Sequence, residues 1–266
     1  IYALKKRPKS NPSIVHYSGL NQLKKDCELN KDFFILYKKF CPGPITFVLK
    51  LKKGSRISKI VTNNKKTVAV RFPKNKLTQK LLKFLNYPLA APSANISTNI
   101  SPVSAEDVKE EFGKKIKFIL NDGVSKIGLE STIISLVKKP EILRYGGIEI
   151  EKINKTLKKK IKFKSKKNKI LVPGQGRVHY SPHIPIRLNA KNPFEGEAYL
   201  LIKKRKLKNK NYFYLTKNKN LKEAGKKLYK MLRLIKKLKY KKISVEKKPK
   251  KGLGITINDR LNRAAK

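Results

Sequence analysis

Across 266 residues the chain carries 67 Lys and Arg against 17 Asp and Glu, a formal charge of +50, with a hydrophobic fraction of 39%. That apolar share is enough for a packed core and excludes disorder throughout, and the length suits one large domain or two modest ones. No apolar run is long enough to span a bilayer, and neither the three histidines (His16, His179, His183) nor the two cysteines (Cys27, Cys41) show metal-ligand or disulfide-framework spacing. A cytoplasmic chain with reduced thiols, no metal site and no membrane contact is therefore expected. The positive field attracts polyanions in a salt-dependent way. Because lysines are spread over loops and helix faces alike, with no aromatic platform for reading bases, the charge fits a solvated surface with weak RNA affinity.

Residues 1–6 read as a helix end stopped by Pro8, because the residue before a proline is pushed out of the helical region. Lys5 and Arg7 flank Lys6 just before that break, offering a compact charge and a planar donor fork to an anion. Phe33 to Phe40 is a helix candidate that ends at Pro42-Gly43-Pro44. Ile45 to Leu51 alternates as a strand, with Thr46, Val48 and Lys50 on one face and Phe47, Leu49 and Leu51 on the other. Thr67 to Phe72 is a second short strand, with Arg71 near its end, where a guanidinium can clamp a carboxylate. Leu77, Leu81, Leu82 and Leu85 then follow helical spacing over Lys74 to Asn86, predicting one face packed on the sheet.

The stretch Pro88 to Pro102 holds three prolines, three serines and two asparagines. Small residues let a ligand approach the backbone, prolines hold the loop shape, and Ser93, Asn95, Ser97 and Ser101 supply hydroxyls and a carboxamide. A turn-rich connector with self-satisfying hydrogen bonds is the plainer reading of the same composition. Ser104 with Asp107 forms a helix N-cap signature directly after it, whose free amides suit a phosphate.

Ile116 to Leu120 reads as a strand closed by the Asn121-Asp-Gly123 turn. Gly128-Leu-Glu-Ser-Thr132 leads into a strand over Ile133–Val137; it is not a G-x-S-x-G elbow, so Ser131 is not read as an acyl nucleophile. Lys155 to Lys169 is dominated by lysine and reads as a solvated helix end or linker. Pro173 to Pro182 brings glycines and the pair His179-Tyr180. Beyond it, Ala198–Ile202, Tyr212–Leu215 and Ile243–Val245 are strand candidates. Asn220 with Glu223 caps a helix carrying Leu221, Ala224, Leu228, Met231, Leu232 and Ile235, and Ile255 to Ala265 forms a last helix. The Gly252-x-Gly254 pair is too weak to mean a nucleotide site.

Taken in order, Leu4-Lys-Lys-Arg-Pro-Lys-Ser-Asn-Pro12 with His16, Cys41-Pro-Gly-Pro-Ile-Thr46, Val68-Ala-Val-Arg-Phe-Pro73, the Pro-Ser-Ala-Asn loop, Asp122-Gly123, Gly128-Leu-Glu-Ser-Thr132, Leu143-Arg144 and His179-Tyr180-Ser181-Pro182 form a specific series. The series resembles the YrdC-like threonylcarbamoyl-AMP synthase family in its long form with a C-terminal accessory domain. The likeness runs to about Pro182, and more loosely to Ala265. The resemblance implies a YrdC-like α/β fold, a twisted mixed sheet with flanking helices in residues 1–160. A linker or lid over 161–190 and a small Rossmann-like α/β domain over 191–266 follow. The family's usual opening strand and Thr/Tyr/Gly-rich substrate loop have no counterpart, so an N-terminally truncated sequence is expected.

By the same resemblance, L-threonine, bicarbonate and ATP are joined into threonylcarbamoyl-AMP with release of pyrophosphate, for the threonylcarbamoyl modification of tRNA adenosine. ATP is a substrate, with Mg2+ carried mainly by its phosphates. Lys5, Arg7, Ser93 and Asn95 are implied to supply charge and alignment. Arg7, Asn11, Thr67, Ser93, Ser101, Arg144, His179 and Tyr180 are implied to contact the nucleotide, the last two as part of a cover. His16, Arg71, Ala91 and Ser131 are implied to border threonine. Val103 and Tyr145 stand where the family commonly has threonine and proline. Implied partners are the tRNA threonylcarbamoyl transferase machinery and tRNA or double-stranded RNA. Two other classes stay open: a basic RNA-binding module without chemistry, and a carbamoyl-transfer relative on the same fold.

Overall fold

The computed structural model describes residues 1–164, 172–173, 179–206 and 209–265. In chain order its elements are β1 (Ile14–His16), α1 (Leu20–Asp26), α2 (Lys31–Phe40), β2 (Ile45–Lys50), α3 (Lys59–Thr62), β3 (Thr67–Arg71) and α4 (Lys76–Leu85). Then come β4 (Leu89–Ala90), α5 (Ala105–Phe112), β5 (Thr132–Ser135), β6 (Glu141–Arg144), α6 (Ile150–Leu157) and β7 (Lys162–Phe163). The remainder is β8 (Ile186–Leu188), β9 (Ala198–Lys203), β10 (Tyr212–Thr216), α7 (Leu221–Lys237), β11 (Ile243–Val245) and α8 (Leu253–Ala264). These fall into two compact units drawn from interleaved stretches. The first takes residues 1–3, 7–92 and the described part of 130–176; the second takes 4–6, 93–129 and the described part of 177–266.

The first unit is a mixed seven-stranded sheet in the order β4-β1-β3-β2-β5-β6-β7. The alternation expected for β2 is present, yet both of its faces are buried. Phe47 and Leu49 join the larger core with Val70, Leu36 and Phe33 from the neighbouring strand and α2, whereas Val48 joins a smaller cluster with Ile14, Ala69, Ile133 and Leu143. Asn30 caps α2 by accepting from the Phe33 amide (3.0 Å), and α2 packs on α6. Leu82 is the single fully buried leucine of the α4 stripe; Leu77, Leu81 and Leu85 are partly covered, and Phe84 stands 84% exposed. Tyr145 stacks on Phe163 of β7 with centroids 4.5 Å apart, so a short strand paired with β6 lies inside the stretch expected to be a solvated helix end or linker. Residues 165–169 of that linker lie outside the described residues.

The second unit carries a four-stranded, all-parallel sheet in the order β10-β9-β11-β8, with α7 packed on β10 and on α8, a small Rossmann-like arrangement. Its core gathers Leu200, Leu215, Leu228, Leu232, Ile243 and Ile257, and it takes in Ile100 from the proline-serine stretch and Val103 just after it. Val103 is thus a packing residue here. Asn220 caps α7 through the Lys222 and Glu223 amides (2.9 and 3.2 Å). Gly254 is required by close packing, because a Cβ there would stand 2.1 Å from the Pro249 carbonyl oxygen.

Two local expectations are corrected. Residues 1–6 form turns rather than helix. Lys6 takes a left-handed conformation (φ 50°) and the Arg7 amide donates to the Tyr2 carbonyl at 2.9 Å, a helix-terminating bond without the helix. Ile116 to Leu120 forms no strand: it finds no ladder partner among the described residues, and Phe118 and Leu120 face solvent. Apolar content alone does not make a strand, because β preference is largely the packing that a paired neighbour provides. The Asn121-Asp-Gly123 turn does form, with the Gly123 amide donating to the Asn121 side chain at 2.9 Å.

Candidate active site

Sheet register in the first unit builds a row of polar side chains. Residues two apart on a strand share a face, and paired residues on neighbouring strands share it too. His16 pairs with Arg71, Arg71 with Thr46, Thr46 with Ile133, and Ile133 with Arg144. All stand on the face that carries Ile14, Val48, Ala69 and Ile133, at the edge where β1 and β3 end and β2 begins. An irregularity at Ile133/Ile134 sets Leu143 and Arg144 against a single β5 residue, turning Arg144 toward Ser131.

Ser131 and Arg144 form a buried polar knot. The Arg144 Nε and Nη2 donate to the Ser131 carbonyl (3.1 and 2.9 Å), Nη2 also to the Ser131 hydroxyl (3.0 Å), and Nη1 to the Pro173 carbonyl (3.0 Å). Ser131 Oγ lies 2.7 Å from Thr46 Oγ1. Gly146 passes so close that a Cβ would meet the Ser131 carbonyl carbon and the Thr132 nitrogen at 2.3 Å each. Arg144 is thereby fastened to protein carbonyls, and its charge faces Arg71.

Arg71 differs. Its Nε is buried without a hydrogen-bond partner, and burial followed by the Arg144 charge lowers its pKa to about 10, with Glu130 and Cys41 opposing. It remains a guanidinium at neutral pH. Two guanidinium groups on one face, one with an open donor, constitute an anion seat. His16 is held neutral: burial, then the Arg71 charge, pull its pKa down to about 4. Its Nδ1 lies 3.3 Å from the Leu89 carbonyl, an acceptor, so Nδ1 carries the hydrogen and Nε2 is left as an acceptor. The Ala91 amide donates to the Ile14 carbonyl at 3.0 Å, which places Ala91 beside β1.

The structure therefore brings His16, Arg71 and Arg144 onto neighbouring strands, with Ala91 just past β4 and Ser131 just before β5, together with Thr46, which the motif contains but which was not expected in the site. The signal was present in the alternation, since Thr46 heads the polar face of β2. Thr67 shares a face with Arg71 but lies four residues back along β3, about 13 Å away. Arg7 and Asn11 are also in the first unit. Arg7 Nη2 donates to the Pro12 carbonyl at 2.9 Å, its Nε and the Asn11 Oδ1 are buried without partners, and burial lowers the Arg7 pKa.

The other implied residues belong to the second unit. The Lys5 ammonium, buried, donates to the Ser93 carbonyl at 2.6 Å and to the Asn95 carbonyl. Asn95 is buried, donates to the Ile96 and Asn99 carbonyls (2.7 and 3.0 Å), and keeps Oδ1 without a partner. Ser93 is exposed and Ser101 buried. The capping box of Ser104 and Asp107 starts α5 directly after this loop. Tyr180 lies in the core, stacked on Tyr229 (centroids 5.6 Å) with the Arg260 guanidinium 4.8 Å over its ring, and the His179 amide donates to the Arg263 carbonyl at 3.3 Å. Residues 174–178 of the expected cover lie outside the described residues. Among the described residues no group of three or more His, Cys, Asp or Glu side chains is arranged to hold a metal, and no helix is long and apolar enough to cross a membrane.

The fold is that of an α/β protein with a twisted mixed sheet, one face of which presents an open guanidinium donor, a neutral imidazole and clustered hydroxyls, groups that can take an anion. Residues 1–146 match the Sua5/YciO/YrdC family model, described as telomere recombination, and residues 148–266 match the model for the threonylcarbamoyl-AMP synthase C-terminal domain. The chain belongs to this Sua5/YrdC family. It is 32% identical over 286 residues to the threonylcarbamoyl-AMP synthase of Pyrococcus abyssi, covering all of this chain and 83% of that protein. The synthases of Schizosaccharomyces pombe and Bacillus subtilis are 35% and 34% identical, covering 77% and 73% of this chain. The chain spans 58% and 57% of those two proteins. The crystal structure of Pyrococcus abyssi Sua5 complexed with L-threonine superposes with a TM-score of 0.89 at 31% identity, covering 99% of this chain and 83% of that one.

Proposed function

We propose that this protein condenses L-threonine, bicarbonate and ATP into threonylcarbamoyl-AMP and pyrophosphate, a nucleotidyl transfer serving tRNA modification. The observation that carries the reading is the open, buried Nε of Arg71 in the row with His16, Thr46 and Ser131. The Arg71 guanidinium takes the threonine carboxylate, His16 Nε2 and the Thr46–Ser131 hydroxyl pair border the rest of the amino acid, and Ala91 offers backbone. The threonine amine adds to bicarbonate with loss of water, giving a carbamate. A carbamate oxygen then attacks the α-phosphorus as pyrophosphate departs. Such a step is helped mainly by alignment and fixed positive charge, and needs no nucleophile from the protein.

Arg7, Asn11 and Asn95 are proposed nucleotide contacts, and each keeps a buried polar atom without a hydrogen-bond partner. Lys5 acts by fixing the carbonyls of Ser93 and Asn95, and Arg144 by fixing Ser131. Thr67, Ser93 and Ser101 are proposed nucleotide contacts, and His179 and Tyr180 proposed cover residues. Magnesium arrives as part of the substrate on the phosphates, since carboxylates are scarce around these groups. Action in the cytoplasm, transfer to tRNA by a partner enzyme, and weak binding of tRNA or double-stranded RNA by the +50 surface complete the proposal.

Threonine- and bicarbonate-dependent pyrophosphate release from ATP is the test. Arg71→Ala should raise the threonine KM by about a hundredfold, the loss of a charge-assisted pair to a carboxylate. Unchanged threonine dependence in that variant removes Arg71 from the site. RNA binding that steepens at low salt, with no pyrophosphate release from the wild-type protein, would favour the basic binding module instead.

A further inference from the structure

Within the second unit the proline-serine stretch is fastened by a carboxylate pair one helical turn apart on α5. Glu111 Oε2 accepts from the Ile96 amide (3.1 Å) and the Asn99 side chain (2.9 Å). Asp107 Oδ2 accepts from the Val103 amide (2.7 Å) and the Ser104 amide (3.3 Å). One arginine from α7 ties both. Arg233 Nη2 donates to Glu111 Oε1 at 3.0 Å and to the Ile100 carbonyl at 2.7 Å, and its Nε lies 3.7 Å from Asp107 Oδ2. The side chains of Arg233, Asp107 and Glu111 are only 14%, 16% and 9% exposed, so this is a partly dry ionic hub rather than a surface pair.

We propose that Arg233 is a positioning residue for nucleotide binding: from the accessory helix it sets the backbone of residues 96–104, and through it the carboxamide of Asn95 and the hydroxyl of Ser101. The inference rests on the nucleotide role proposed for those two residues. The geometry is specific to arginine, because one planar fork must reach a carboxylate and a carbonyl together while its Nε faces the second carboxylate. A lysine ammonium can bond Glu111 and the Ile100 carbonyl from its one nitrogen, as Arg233 Nη2 does, but it carries no second donor to face Asp107. Asn95 transmits the setting directly, because its Nδ2 donates to the Ile96 and Asn99 carbonyls and both residues hang from Glu111. The accessory region thereby takes part in substrate recognition instead of serving as a passive appendage.

The test compares wild type, Arg233→Ala, Arg233→Lys and Glu111→Gln in the full protein. Steady-state pyrophosphate release is measured with ATP and threonine varied separately, and amide hydrogen exchange is read at Ile96 and in β9. Arg233→Ala should raise the ATP KM by about tenfold while the threonine KM moves less than twofold, and Arg233→Lys should recover only part of that loss. Exchange at the Ile96 amide should accelerate by about tenfold, with β9 amides unchanged. A fall in kcat with equal movement of both KM values, or full rescue by lysine, would overturn the proposal. So would unaltered exchange at Ile96. Absence of pyrophosphate release from the wild type would count against the synthase reading alone, because the exchange measurement reads the hub without turnover.

Discussion

The two units place their polar groups by opposite means. In the first, strand register carries His16, Arg71, Thr46 and Arg144 to one sheet edge, so the backbone ladder does the positioning and side chains can be left open, as the Arg71 Nε is. In the second, residues 93–102 carry a single isolated bridge, Asn99 with Ser181, and no ladder among the described residues. This stretch is held largely by side chains: Lys5, from the start of the chain, on the Ser93 and Asn95 carbonyls, Glu111 and Asp107, from α5 just downstream, on amides, and Arg233, from distant α7, across them. A ladder distributes its stability over many bonds, whereas a clamp concentrates it in a few charge-assisted ones. The first arrangement resists single substitutions outside its close contacts; the second fails at each of its clamps.

The largest effect expected from this contrast comes from a tight spot beside the ladder. Gly146→Val should cost upwards of about 3 kcal/mol in chemical denaturation, since the added Cβ meets backbone atoms of Ser131 and Thr132 at 2.3 Å. A variant as stable as wild type would show that the strand edge can shift freely. Next in size, Lys5→Met retains the aliphatic stem but removes the ammonium from two carbonyls, and should weaken the second unit locally by about 2 kcal/mol. Faster exchange at the Ser97 amide, which donates to the Lys5 carbonyl at 2.8 Å, is the readout; unaltered protection there would remove Lys5 from the clamps. The smallest at neutral pH concerns His16. Its folded pKa, about 4, lies below the ordinary 6.5, so the unfolded chain takes up the proton first as pH falls. Stability from neutral burial is complete above pH 6.5 and drains away toward pH 4, by about 3 kcal/mol. His16→Gln should flatten that part of the pH–stability curve, and an unchanged curve would mean that the imidazole is not buried neutral.

The sheet edge was legible in the sequence because a period of two is local. Thr46, Arg71 and the strand after Ser131 could each be set on a strand from alternation and turn residues alone. The α5 cap and the apolar stripe of α7 were legible for the same reason, as fixed spacings within a single helix. What stayed hidden depends on pairing across long separations. Ile14–His16 is too short to signal a strand until β3 and β4 flank it, and Ile116–Leu120 has strand composition but no neighbour to pair with. Lys5 reads as one more lysine in a basic run, and nothing near it in sequence reveals that its head is buried on carbonyls some 90 residues away. Arg233 meets Glu111 across 122 residues, with an ordinary helix pattern at each end.

The interleaving of the two units has a consequence for how the protein is made. Arg233 leaves the ribosome 133 residues after Ile100, a delay of roughly ten seconds at ordinary elongation rates. Throughout that interval the newly made Asp107 and Glu111 lack their countercharge, so the nascent bend is unfinished while most of the first unit's strands are already out. The order of translation thus makes the accessory helix the last part needed to complete this bend.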